Sequence, residues 1–129
     1  MSLEEFHAEI ESGERFEFGK NWVSFLGKLN DERISISQSC LSDMLEMTSL
    51  TDKSFLDVGS GSGLSSLAAR NLGANVISFD YDESSVWCTS ELKNRYYPND
   101  KSWAVMQGSA LDNVFLGQLI FCQSNLIIL

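Results

Sequence analysis

The feature that most constrains the fold is a glycine-rich segment, DVGSGSG, at residues 57–63. The apolar run Ser54–Val58 predicts a buried strand that leads into this segment, and the apolar spacing after it predicts a helix over residues 64–72, ended by Gly73. Glycines at such a turn permit backbone dihedrals closed to other residues and let a ligand lie against bare peptide. The positive N-terminus of the following helix faces the same ligand. The segment therefore predicts a ligand-binding turn in an α/β fold.

Strand and helix patterns continue to alternate after the glycine-rich segment. The pattern predicts a second strand over residues 75–79, a helix over 84–97 ended by Pro98, and a third strand at Trp103–Gln107. A short helix over 113–119 follows. A fourth strand fits either 119–122 or 126–129. Alternation at this spacing predicts a parallel sheet of three or four strands with right-handed crossovers.

The first 50 residues differ from the rest, because they carry only helical patterns. Ser2 and Glu5 form a capping box for a first helix that ends at Gly13. A second apolar stripe follows, and Asp31 is expected to cap a third helix. The inner faces of the second and third helices are assigned to Trp22, Phe25, Leu26 and Leu29, and to Ile34, Leu41, Met44 and Leu45. We therefore divide the chain into a helical segment, 1–50, and a ligand-binding half domain, 51–129, within a single domain.

Composition excludes several classes of function. The net charge is −9, from 18 acidic and 9 basic side chains, which argues against a nucleic-acid partner. The acidic N-terminus and the absence of a long apolar run argue against a secretion signal and against a membrane partner, so a cytoplasmic location is expected. Cys40, Cys88 and Cys122 lie too far apart for a zinc cluster or a disulfide framework and are expected to be buried free thiols. His7 is the single histidine, expected at the surface, so no histidine-based triad or metal site is predicted.

An acidic residue identifies the kind of ligand. Asp80 ends the second predicted strand about 20 residues beyond the glycines, where a carboxylate accepts hydrogen bonds from the ribose hydroxyls of an adenosine. Asp82 is better explained as the cap of the next helix. The dinucleotide fingerprint G-x-G-x-x-G fails, because Leu64 occupies the third glycine position, and no Gly-Lys-Ser/Thr of a P-loop is present. Asp57 would repel a pyrophosphate but attract an ammonium and a sulfonium, which favours S-adenosylmethionine over NAD.

These segments resemble a known family. Residues 55–63 are similar to motif I of the class I S-adenosylmethionine-dependent methyltransferases, 78–82 to the acidic loop after their second strand, and 107–112 to the loop after their third. The resemblance implies a Rossmann-like three-layer αβα fold, S-adenosylhomocysteine as product, and no required metal. It also implies a cofactor site, whose expected members are Asp57, Gly59, Ser60, Gly61, Gly63, Asp80, Tyr81, Ser109 and Ala110.

The resemblance assigns roles to several of these residues. Asp57 and the Gly59 backbone would hold the methionine amino group, partly through water, and Asp80 would take the ribose hydroxyls. Tyr81 would lie beside the adenine. Ser109 stands where the family often has an aspartate that contacts the adenine amino group, so this contact is assigned to the backbone of Ala110.

The family's sheet has seven strands, whereas this chain supplies three or four, so we expect a chain cut short after about strand four. A truncated gene, a frameshift and a shortened expression product are equal explanations. We expect a homo-oligomer that covers the exposed sheet edge and a small-molecule methyl acceptor. Residues 16–22 have two interpretations, simple helix packing, which is the favoured one, and a lid over the cofactor. No catalytic residue can be named. Two alternatives stay open: a module that binds S-adenosylmethionine or a related adenosine ligand without turnover, and a fragment of an NAD-dependent oxidoreductase.

Overall fold

The structure is a computed structural model that describes residues 16–121 and 125–129. The expected first helix, His7 and Cys122 lie outside the described residues. The described elements, in chain order, are α1 (Phe16–Lys28), α2 (Asp31–Leu45), β1 (Ser54–Val58), α3 (Leu64–Asn71), β2 (Asn75–Asp80), α4 (Glu83–Tyr96), β3 (Trp103–Gln107), α5 (Asn113–Phe121) and β4 (Leu126–Ile128).

The four strands form one parallel sheet in the order β3-β2-β1-β4. Leu56 of β1 lies opposite Ile77 of β2 on one side and Ile128 of β4 on the other, and Ile77 lies opposite Ala104 of β3. Helix α3 connects β1 to β2, and α4 connects β2 to β3. The parallel Rossmann-like α/β fold predicted from the sequence is confirmed.

The hydrophobic core lies between the sheet and its helices. Phe55 of β1, Leu67 of α3 and Trp103 of β3 are each at most 1% exposed, because the strands of a parallel sheet are covered on their faces by helices. The two N-terminal helices contribute Leu26 and Ile34 to the same core cluster. A helical segment and a sheet therefore share one hydrophobic interior.

Hydrogen bonds at two points tie the N-terminal helices to this interior. The Arg95 guanidinium of α4 donates to the carbonyl oxygen of Leu26 at the end of α1, with 2.8 Å between the atoms. Asn71 of α3 donates through its side-chain amide to Gln38 of α2, also at 2.8 Å. The helices that precede the sheet thus pack against its two crossover helices.

The sequence predictions for α2 are wrong in two details. The cap is Asn30, whose backbone is extended and whose side-chain oxygen accepts the backbone N–H of Arg33 at 2.9 Å, whereas Asp31 lies in the first turn of the helix. An acidic residue remains favourable there because of the helix dipole. Met44 is 59% exposed, because Ile34 and Leu41 already define the narrow stripe that faces the core. The expectation of buried thiols also fails on this helix, since Cys40 is exposed.

The strand predictions are more accurate than the helix predictions. β1 and β3 have the predicted bounds, and Asp82 caps α4 as expected by accepting the backbone N–H of Ser85 at 3.0 Å. Of the two places considered for the fourth strand, the structure has Leu126–Ile128, because α5 continues through Phe121. Within the described ranges, no helix has the length and apolarity needed to cross a bilayer.

Candidate functional site

The glycine-rich segment forms a tight turn between β1 and α3. Gly59, Gly61 and Gly63 have φ angles of +72°, +56° and +86°, a region that L side chains rarely adopt. The backbone N–H groups of Gly59 and Ser60 both donate to the carbonyl oxygen of Phe79, at 3.0 and 2.9 Å. The glycines therefore allow the chain to reverse while it stays bonded to the end of β2.

Helix α4 holds the other side of this turn. Thr89 donates through its hydroxyl to the carbonyl oxygen of Gly61 at 3.2 Å, and the same Oγ1 lies 2.9 Å from the hydroxyl of Ser60. Because a threonine hydroxyl has one hydrogen, Ser60 is the donor in the second bond. A Cβ at Gly63 would lie 3.0 Å from Thr89. Gly63 and the Ser60 side chain thus serve the packing of the turn against α4.

Asp80 connects the glycine turn to the end of β2. Its Oδ2 accepts the backbone N–H of Gly61 at 3.0 Å, and its Oδ1 accepts the backbone N–H of Asp82 at 2.9 Å. A carboxylate offers about four acceptor positions, two on each oxygen. Each oxygen of Asp80 therefore keeps a lone pair with which to accept a ligand hydroxyl, the role predicted for it.

Asp57 lies much deeper than Asp80, at 4% exposure. Its Oδ2 accepts the hydroxyl of Ser66, the first contact of a buried polar chain, with 2.6 Å between the oxygens. Burial raises the pKa of the Asp57 carboxyl, the hydrogen bonds from Ser66 oppose that rise, and the negative charge of Asp80 adds to it. A nearby cation would favour the ionised form of Asp57, so the carboxylate is suited to a positively charged ligand group.

The turn leaves room for a ligand beside its backbone. Among the described residues, a Cβ at Gly59 would meet no atom within 4 Å, and one at Gly61 would meet only the ring edge of Trp22, at 3.8 Å. An adenosyl-sulfur cofactor needs bare peptide, an acceptor for ribose hydroxyls and a carboxylate for its cationic end. The donor and acceptor groups described above fit that requirement.

The remaining predicted residues lie at the same end of the sheet. Tyr81 follows β2 and is 78% exposed, and Ser109 and Ala110 follow β3. The Gly108 backbone N–H donates to the carbonyl oxygen of Asp80 at 3.0 Å, which holds the loop after β3 beside β2. The Ser109 hydroxyl accepts the N–H of Leu111 at 3.1 Å and so shapes its own turn. The structure thus brings all nine predicted residues to the carboxyl ends of β1, β2 and β3, where ligands bind in open α/β sheets.

Sequence reasoning missed the polar residues that support this edge. Ser66, Ser78 and Thr89 are fully buried and each makes a side-chain hydrogen bond to another buried group. The available signal was polar residues at positions that the helix and strand periodicities assign to the interior. Among the residues that the structure describes, no group of three or more histidine, cysteine, aspartate or glutamate side chains could hold a metal ion.

One family model matches the chain. The family described as ribosomal protein L11 methyltransferase (PrmA) matches residues 36–113, more than half of the 129 residues. The match spans the glycine turn, the end of β2 and the loop after β3. No curated protein gives a significant sequence match.

Several solved structures are similar to the described fold. A protein assigned as a sarcosine dimethylglycine methyltransferase from Galdieria sulphuraria superposes with a TM-score of 0.52 at 18% identity, over 72% of this chain and 42% of its own. A protein assigned as an RNA methyltransferase from Pyrococcus horikoshii gives 0.45 at 24% identity, over 64% and 39%. An S-adenosylhomocysteine-bound methyltransferase from Podospora anserina gives 0.47 at 16% identity, over 88% and 53%. The chain therefore spans about half or less of the length of these proteins.

Proposed function

The chain belongs to the methyltransferase family described as ribosomal protein L11 methyltransferase (PrmA), and from this premise we propose that it binds S-adenosylmethionine at the turn between β1 and α3 and serves methyl transfer. The observation that carries the proposal is the pair of carboxylates at this turn. Asp57 and Asp80 end neighbouring strands on either side of an open glycine backbone. A ligand with a cationic end for Asp57 and vicinal hydroxyl groups for Asp80 would bind to both carboxylates.

Each residue contributes binding or orientation. Asp80 accepts the two ribose hydroxyls with the lone pairs that its backbone donors leave available. Asp57, together with the Gly59 backbone, holds the amino group of the methionine part. Tyr81 packs beside the adenine, and the Ala110 backbone faces the adenine amino group, while the Ser109 hydroxyl shapes its own turn by accepting the N–H of Leu111.

The chemistry needs mainly correct placement. When bound, the cofactor supplies a methyl group on a cationic sulfur, which the acceptor's lone pair takes as the carbon–sulfur bond breaks, leaving S-adenosylhomocysteine and a proton from the acceptor. The protein lowers the barrier by holding the cofactor in one orientation, and such positioning is worth several orders of magnitude in rate.

Helix α1 lies beside the proposed cofactor site. The ring edge of Trp22 lies 3.8 Å from the position that a Cβ at Gly61 would take, so α1 borders the glycine turn. We propose that residues 16–22 act as a lid over the cofactor, the second of the two interpretations that the sequence leaves open. Trp22 to Ala is then expected to weaken cofactor binding, whereas Val23→Ala, on the exposed side of α1, is the matched control.

The acceptor is proposed to be a small molecule. The name of the family supplies a second candidate, ribosomal protein L11. The match includes the residues proposed to bind the cofactor, so it supports the assignment of the methyl donor more strongly than the assignment of either acceptor. A panel of small amines, thiols and phenols, tested beside purified L11 for production of S-adenosylhomocysteine, separates the two candidates. Cofactor binding without product from any acceptor supports the alternative of a binding module.

Calorimetric titration with S-adenosylmethionine, S-adenosylhomocysteine and NAD tests the cofactor assignment. We expect both adenosyl-sulfur ligands to bind and NAD not to bind. Asp80→Asn removes the charge and replaces one acceptor by donors, so its affinity should fall by about tenfold or more, the size expected for a lost hydrogen bond to a charged group. Asp43→Asn, a carboxylate removed from the exposed face of α2, should bind as the unaltered chain does. Saturable NAD binding, or a folded chain that binds neither adenosyl-sulfur ligand, would refute the proposal.

A further inference from the structure

A chain of hydrogen bonds runs through the interior to Asp57. Trp103 of β3 donates through its indole nitrogen to Ser78 of β2, with 2.9 Å between Nε1 and Oγ. The Ser78 and Ser66 hydroxyl oxygens lie 2.6 Å apart, and Ser66 of α3 donates to Asp57 Oδ2 at 2.6 Å. All four side chains are at most 4% exposed. We call Trp103, Ser78 and Ser66 the serine relay.

The chemistry of its two ends fixes the direction of the serine relay. An indole N–H only donates and an ionised carboxylate only accepts, while each hydroxyl has one hydrogen. Ser78 therefore donates to Ser66, and Ser66 donates to Asp57. If Asp57 were protonated and donated to Ser66, Ser66 would have to donate to Ser78, and the Ser78 hydrogen would lose the acceptor that the relay gives it. The relay therefore runs toward Asp57 Oδ2 as acceptor, and an ionised carboxylate accepts this hydrogen bond more strongly than a neutral carboxyl does, so the relay favours the ionised form of Asp57.

The ionised form of Asp57 needs stabilisation at this position. Burial disfavours the charged form of Asp57, and the charged group whose field reaches it, Asp80, disfavours that form further. The groups that face Asp57 through the relay, from α3, β2 and β3, are neutral, so they act by hydrogen bonding alone. Charge-assisted hydrogen bonds are the stronger kind, and buried polar groups without partners are costly.

We propose that the serine relay is a positioning device that keeps the buried Asp57 ionised and fixes the orientation of its carboxylate, so that the site is ready for a cationic ligand group. Trp103, Ser78 and Ser66 are positioning residues in this proposal, since they act through Asp57. The part that concerns the ligand rests on the proposed function. The part that concerns the ionisation of Asp57 is a property of the unliganded chain.

The variants Ser66→Ala and Trp103→Phe test the relay at its two ends. Ser66→Ala removes the donor to Asp57, and Trp103→Phe removes the first N–H of the relay together with part of a buried side chain, while it keeps one aromatic ring in the core. Ser65→Ala, on the neighbouring position of α3 and outside the relay, is the matched control. If Ser66→Ala does not fold, Trp103→Phe decides the test, because it removes the first donor of the relay and leaves Ser78, Ser66 and Asp57 in place.

The first readout needs no ligand. The side-chain carboxyl carbon of Asp57, assigned by its loss in Asp57→Asn, is titrated by NMR in the unliganded chain. We expect Ser65→Ala to titrate with the unaltered protein, Trp103→Phe at higher pH, and Ser66→Ala at the highest pH, because removal of each donor makes the charged form less favourable. Titration of all variants at the same pH would overturn the proposal.

The second readout is the affinity for S-adenosylmethionine between pH 5 and 8. For Ser66→Ala we expect a loss of about tenfold at the acid end, from the size of a hydrogen bond to a charged group. The loss should shrink as the pH rises, since Asp57 then ionises without help. A loss of equal size at every pH would show a structural role only and would overturn the positioning role. If the unaltered chain binds no cofactor but the NMR titrations shift as expected, the proposed function fails and the relay's effect on Asp57 stands.

Discussion

The substitution of Gly63 by alanine tests whether the glycine turn is held by backbone conformation or by its contact with α4. Gly59 and Gly63 both have a positive φ, +72° and +86°, but only Gly63 is crowded. A Cβ at Gly63 would lie 3.0 Å from the Cα, Cγ2 and Oγ1 atoms of Thr89, whereas a Cβ at Gly59 would meet nothing within 4 Å. The two variants therefore share the backbone strain and differ in the contact.

The expected magnitudes follow from these distances. A left-handed conformation costs a non-glycine residue about 1–2 kcal/mol, of which about 0.4–1 kcal/mol is returned because alanine lowers the entropy of the unfolded chain. Gly59→Ala should therefore destabilise the protein by about 1 kcal/mol. Gly63→Ala adds overpacking of about 1–3 kcal/mol, because one of the three equally near atoms of Thr89 is its Cα, which moves only if α4 moves. Its total should be about 2–4 kcal/mol, a large part of the 5–15 kcal/mol typical of a domain.

Urea unfolding at 25 °C, followed by tryptophan fluorescence, measures both variants against the unaltered chain. The slope of the free energy with urea should stay constant, which shows that the states compared are the same. Equal destabilisation by the two substitutions would refute the reasoning, since the contact with Thr89 would then contribute nothing. For the affinity of the cofactor we expect the opposite order, with the larger loss in Gly59→Ala, because a Cβ at Gly59 projects into the space proposed for the ligand.

Three further predictions follow from other parts of the structure. Gly108→Ala should lower the thermal midpoint clearly, because its Cβ would lie 2.3 Å from the Phe115 ring. Gly117→Ala, whose Cβ would meet no atom of the described part of the chain within 4 Å, should raise it slightly through better helix propensity. An unchanged midpoint for the first variant would contradict the packing described. Iodoacetamide at pH 8 should modify the exposed Cys40 quickly and the buried Cys88 only on unfolding, because burial raises the pKa of the Cys88 thiol to about 12; peptide mass spectrometry distinguishes them, and equal rates would refute this. The homo-oligomer stays a prediction: β4 forms one edge of the sheet, and light scattering after gel filtration should show more than one copy, with a compact monomer as the contrary result.

The two wrong predictions for α2, its cap and the burial of Met44, show which details a sequence pattern does not determine. Asn30 and Asp31 are adjacent and both are good caps, so the sequence alone ranks them nearly equally. Met44 lies beside the apolar stripe, and its exposure depends on which neighbour α2 meets. Periodicity identifies a helix and its general inner face, but the width of that face is decided by the surface against which it packs.

The glycine turn between β1 and α3 was predictable because its sequence signals are local. Asp57, the glycines and Asp80 occur at positions where a strand ends, and turn chemistry depends on neighbouring residues rather than on distant ones. Their roles toward a ligand stay proposals. The functional assignment drew on the same local patterns, and the family match covers the same residues.

The sequence by itself determined the succession of strands and helices along the chain and the bounds of β1 and β3. It also determined which residues follow the carboxyl ends of the strands. Only the tertiary structure decided that Gly63 is crowded while Gly59 is open, and that three residues from separate elements support Asp57. The physical reason is the range of the interactions. Secondary structure and turns follow from backbone conformations of adjacent residues, whereas the serine relay requires the parallel register of β1, β2 and β3 and the packing of α3 on them. That register is fixed by the burial of the whole core.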